Sequence, residues 1–151
     1  MKKVTFLVVM LAFFANISMA QNKERVNAFN YNKNAQSYIT TAEQLMVQNR
    51  VDKAQKQMAN AKIELTRAKT SIDLAAENEE TKNDAKTWHY YGVIYLKIAT
   101  YPEFNDIDTD ALSKCADAFR KLVELDETYF KNNYGEIITY IQSITTNYFN
   151  Q

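Results

Sequence analysis

The chain has 151 residues, with 18 basic and 18 acidic side chains, two glycines, one proline, one cysteine and one histidine. That length fits one domain, and the charge balance leaves no clustered excess of Lys and Arg to hold nucleic-acid phosphates. Cys115 alone rules out a disulfide within the chain, and one Cys with one His cannot complete a structural zinc site. Stability must then come from packing, and the scarcity of Gly and Pro predicts long uninterrupted helices.

Lys2-Lys3, the apolar run Val4 to Phe14 and the closing Ser18-Met19-Ala20 have the layout of a secretory signal peptide over 1–20. Small Ser18 and Ala20 suit the peptidase and place the cut between Ala20 and Gln21. The alternative is an uncleaved anchor, but the run is shorter than the ~20 apolar residues of a spanning helix. No other segment is long and apolar enough to cross a bilayer, and no cysteine follows the cut to carry a lipid. The expected product is an exported, periplasmic or secreted domain over 21–151, with 16 basic against 18 acidic side chains and a net charge of −2.

From Asn27 to Gln48, Ala35, Tyr38, Ala42 and Leu45 repeat at 3-4-3 with Ile39 and Met46 alongside, which predicts a first helix. The phase breaks at Gln48-Asn49-Arg50. A second register then runs Val51, Ala54, Met58, Ala61, Leu65, Ala68, Ile72, Ala75, the longest periodicity in the sequence. Small and large residues alternate along it, so a partner helix can approach closely. The pattern suits a coiled-coil strand or the long arm of an antiparallel helix hairpin, and the short polar break favours the hairpin.

The polar run Glu77 to Asp84 predicts a connection, with Asn83 or Asp84 capping a third helix that ends near Ala99. That helix contains Trp88-His89-Tyr90-Tyr91-Gly92-Val93-Ile94-Tyr95, where Trp88, Tyr91, Tyr95 and Ile98 form one stripe and Tyr90 and Ile94 a second apolar side. A helix interior loses about 1 kcal/mol with glycine in place of alanine, so Gly92 predicts close approach of a neighbouring helix over the missing side chain. Tyr101 to Asp110 breaks the pattern around the lone Pro102, with Asp108 or Asp110 available to cap a fourth helix. Leu112, Cys115, Phe119 and Leu122 give that helix its stripe. After Asp126-Glu127-Thr128, a fifth is predicted from Tyr134, Ile137, Ile141, Ile144 and Tyr148.

The order Trp88, two residues, Tyr91, Gly92, two residues, Tyr95 resembles the first-helix signature of the tetratricopeptide repeat, W-x2-L-G-x2-Y, with Tyr91 where leucine is usual. Cys115, Phe119 and Leu122 stand at the second helix's small, aromatic and apolar places, and Glu127 where proline is common. The best-matching repeat spans 84–127. Trp88 and Cys115 are 27 apart instead of the roughly 16 of a 34-residue repeat, so about eleven residues are inserted near 100–110. The match is weaker over Asn27 to Ala76. What the resemblance implies is an all-α fold of antiparallel helix hairpins stacked as a short solenoid, about five helices after the signal peptide. Its first helices would line a concave groove that binds an extended peptide or a partner's helix. The apolar final helix implies either further repeats or self-association through that face.

Little points to catalysis. His89 has no nucleophile-elbow sequence to work with and is expected to pack beside Trp88. Cys115 lies in an apolar stripe and is expected to be an inert buried thiol. Asp106, Asp108 and Asp110 alternate as in a calcium loop, yet the required glycine and distant glutamate are missing. Capping and solvation are the expected roles. No metal or cofactor is called for. The expected function is a non-catalytic protein-protein interaction scaffold or adaptor of the cell envelope. The alternative is a carbohydrate- or small-ligand-binding module using Tyr90, Tyr101, Phe104, Tyr140 and Tyr148 as exposed aromatic faces.

Overall fold

The computed structural model describes the backbone of residues 2–149 and the side chains of 23–135, 137–139 and 142. Within these it is all-helical: α1 (Lys2–Val47), α2 (Val51–Glu77), α3 (Ala85–Thr100), a 3-10 turn at Pro102–Phe104, α4 (Ala111–Leu125) and α5 (Glu127–Phe149). The side chains of the expected signal segment, with Ala20 and Gln21 at its cut, lie outside the described residues.

α1 ends where predicted, and the backbone gives the reason. Asn49 takes φ 60°, a left-handed conformation that a short polar side chain tolerates. Its N–H donates to the Met46 carbonyl at 2.9 Å, and that of Arg50 to the Leu45 carbonyl at 2.9 Å, so the last turn of α1 is closed as the chain reverses. α2 returns antiparallel to α1: Asn34 Nδ2 donates to Glu64 at 3.0 Å, and Arg67 lies over the Tyr31 ring. The close approach is made by alanines. Ala28, Ala35 and Ala42 on α1 face Ala54, Ala61, Ala68 and Ala75 on α2, all buried. The α2 stripe is thus buried at Ala54 and from Ala61 onward, while Met58 between them is half-buried and Val51 at its head stays 41% exposed.

The stripe expected on α1 is displaced by part of a turn. Tyr38 faces solvent and Ala28 joins Ala35, Ile39 and Ala42 in the core, because the alanine row, not the larger ring, fits against α2. Leu112 and Tyr134 are likewise outside, at 48% and 49% exposed. Ala111, Ala118, Cys115, Phe119 and Leu122 form the buried face of α4, and Ile137 that of α5.

α3 sits at the centre, packing against α1, α2, α4 and α5. Its run from Gly92 to Ala99 is buried without interruption, as its two apolar sides require. Asp84 caps it by accepting from the Lys86 N–H at 2.9 Å and also pairs with Arg25. The preceding connection is pinned by the Trp88 indole, whose Nε1 donates to the Lys82 carbonyl at 2.6 Å. Each large side chain withdrawn from water here, such as Ile39, Leu65, Ile72, Ile98 and Leu122, contributes about 1.5–3 kcal/mol.

Candidate functional site

Gly92 is where the sequence pointed to close approach, and α4 supplies the neighbour. A Cβ on Gly92 would stand 2.6 Å from Phe119 Cε1 and 2.7 Å from Cζ, so the ring occupies the space that any larger residue would need. Cys115 and Leu122 lie on the same buried face of α4. Burial pushes the Cys115 thiol up to about 12, which keeps it protonated and unreactive at neutral pH. His89 is also buried, its Nδ1 3.0 Å from the Tyr129 hydroxyl and its ring edge-on to that of Tyr129. It packs α5 onto α3.

Trp88, Tyr91 and Tyr95 converge on a cleft of about 330 Å³ that Lys69, Asp73 and Lys114 also line. The Tyr91 and Tyr95 rings stack at 4.4 Å, Trp88 leans on Tyr91 at 5.5 Å, and the Lys69 and Lys114 ammoniums lie 5.5 and 5.6 Å from the Tyr95 centroid. The Tyr95 hydroxyl donates to Asp73 at 2.7 Å. Burial, reinforced by Tyr91 and Asp73, holds that phenol well above its ordinary range. Burial also opposes charge on Asp108, but Lys114 at 2.6 Å and Lys69 at 3.4 Å outweigh it and hold the carboxyl below the usual range. The aromatic faces and charges of this cleft are largely spent on one another, tying α2, α3 and the 101–110 connection together.

That connection resolves the three aspartates. Asp106 pairs with Lys62, Asp108 gathers Lys69 and Lys114, and Asp110 occupies the N-cap position of α4 without a side-chain capping bond. Asp108 instead accepts from the Asp110 N–H at 3.0 Å. Among the described residues, no group of three His, Cys, Asp or Glu side chains is placed to hold a metal ion, and no helix is long and apolar enough to cross a membrane.

Phe104 is a correction. Expected among the exposed aromatics, it is fully buried, because the Pro102–Phe104 turn folds its ring inward at 5.4 Å from Tyr101. Tyr90 is half-buried between Phe29 and Lys86, and Tyr101 is half-buried with its hydroxyl donating to Glu43 at 3.0 Å. The side chains of Tyr140 and Tyr148 lie outside the described residues.

A larger cleft, about 660 Å³, opens where α1 turns into α2. Its floor is Ala42, Met46, Val51, Ala54 and Met58, and its rim carries Glu43, Gln55, Lys62, Tyr101 and Glu103. Met46 is 56% exposed and its neighbour Val47 is 90% exposed, an apolar tip left open to solvent. The cause is a mismatch of lengths. α2 has 27 residues and α3 only 16, and the contacts of Tyr95 with Asp73 and of Asp106 with Lys62 set α3 and its following turn against α2 from Lys62 onward. The first two turns of α2 are left uncovered. The stripe heading at Val51, with Met58 within it, carried this signal, since an apolar row longer than the helix that covers it must end in open surface. Comparison of the chain with protein-family models, with curated proteins and with solved structures gives no match.

Proposed function

We propose that this chain is an exported, non-catalytic scaffold of the cell envelope that holds another protein, and that its helices form a short tetratricopeptide-like stack. The observation that carries the docking reading is the uncovered apolar cleft at the α1–α2 tip, where Met46, Met58 and Val51 meet solvent. Flexible, polarisable methionines adapt to a partner's shape, and apolar surface rimmed by polar groups is the composition of an interface core. The Phe119 ring seated over Gly92 supports the repeat-like packing. The signal-like segment over 1–20 supports export.

The test is affinity capture from an envelope extract with the full chain as bait, beside the double variant Met46→Gln/Val51→Gln. Both positions are exposed enough for the variant to keep its fold, which circular dichroism checks. One stoichiometric protein held by the parent and lost by the variant is the expected result. Equal retention by both overturns the assignment of the cleft.

A further inference from the structure

The chemistry of the tip cleft narrows its partner, on the docking reading above. Its walls are α1 and α2, and apart from the N–H groups of the first turn of α2 at Val51–Lys53, the backbone groups along the floor are engaged within the helices or in the turn that joins them. An extended peptide laid there finds no strand edge and would bury unpaired backbone groups, whereas a helix arrives with its backbone already satisfied and needs only an apolar face. The rim sets the charge. Lys62 is the cation among the lining residues, and its ammonium is engaged by Asp106 at 2.6 Å. Glu43 and Glu103 form no ion pair among the described residues. Glu43 is held at the rim by the Tyr101 hydroxyl, which occupies one of its oxygens at 3.0 Å. The cleft therefore presents an apolar floor with two carboxylates available beside it.

We propose that the cleft receives an amphipathic helix of a partner protein, whose apolar face fills the Met46–Met58 floor and whose flanking Lys or Arg side chains meet Glu43 and Glu103. The probe is a pair of labelled synthetic helical peptides with leucines at i, i+3, i+4 and i+7, one flanked by lysines and the other by glutamates, titrated into the full chain by fluorescence anisotropy. The lysine peptide is expected to bind more tightly. Glu43→Gln/Glu103→Gln, which keeps an acceptor for Tyr101, should weaken it about three- to tenfold at low salt while improving the glutamate peptide. Met46→Gln/Val51→Gln should abolish both.

Equal affinity for the two peptides, unchanged by the glutamine variant but lost in Met46→Gln/Val51→Gln, would overturn the basic-helix inference and leave the docking reading standing. Binding that ignores Met46→Gln/Val51→Gln would overturn both. A chain that binds neither peptide but self-associates, with association lost in that variant, would assign the cleft to a second copy and refute the inference.

Discussion

Gly92 and Gly135 are both helical, yet a methyl group means opposite things at the two sites. At Gly92 it meets the Phe119 ring, and Phe119 is itself only 8% exposed and has little room to retreat. Overpacking of about 1–3 kcal/mol exceeds the helix-propensity gain of about 1 kcal/mol. Gly92→Ala is therefore expected to destabilise modestly and Gly92→Leu more severely. At Gly135 no described atom lies within 4 Å of the added Cβ, so Gly135→Ala should gain up to about 1 kcal/mol. Urea denaturation of the three variants checks both signs. An unchanged midpoint for Gly92→Leu would contradict the packing.

Lys97 is the other residue with a measurable consequence. It is 6% exposed, its ammonium donates to Asn32 Oδ1 at 2.8 Å, and burial lowers its pKa from 10.5 to about 8. Below about 8 the amine is charged in both folded and unfolded chains and the burial penalty is fully present. Between about 8 and 10.5 the unfolded chain binds more protons, so this group's contribution to stability improves as pH rises. Lys97→Met should raise stability at pH 7 by roughly 2–3 kcal/mol, and its advantage should shrink by pH 9.5. A constant difference across that range would contradict the assignment.

Among the elements, the reversal after α1 rests on one residue. Asn49 at φ 60° accepts glycine without strain, whereas a β-branched side chain in that conformation is costly. Asn49→Gly should hold or slightly raise the melting temperature, and Asn49→Val should lower stability by about 1–2 kcal/mol. The break at Gln48-Asn49-Arg50 was legible because the apolar phase changes there, and the α2 stripe because eight positions keep one register. The rotation of α1 was not legible: Tyr38 and Ala35 both fit an apolar periodicity, and only the close α1–α2 approach decides for alanine. The bounds of α3 followed from Asp84 and Pro102. The burial of Phe104 did not, because a three-residue turn inside a polar loop has no periodicity to read.

For the molecule as a whole, the residues that stood out in the sequence lie in the core or, for Trp88 and Tyr91, half-buried against it. Trp88, Tyr91, Gly92, Tyr95, Cys115, Phe119 and Leu122 tie α3 to α2 and α4, and their prominence reflects the packing of a helix enclosed on several sides. The candidate docking surface lies elsewhere, on ordinary residues exposed only because α3 falls short of the α1–α2 tip. Individual residue types could not announce it; relative helix lengths and the resulting register could.

The measurement that tests the docking claim most directly is amide hydrogen exchange of the full chain, alone and bound to the protein it captures. Slowed exchange concentrated over residues 42–59 and 101–103 on binding is the predicted result. Protection confined to the Phe29–Tyr90 face or to α5, with the tip unchanged, would contradict it.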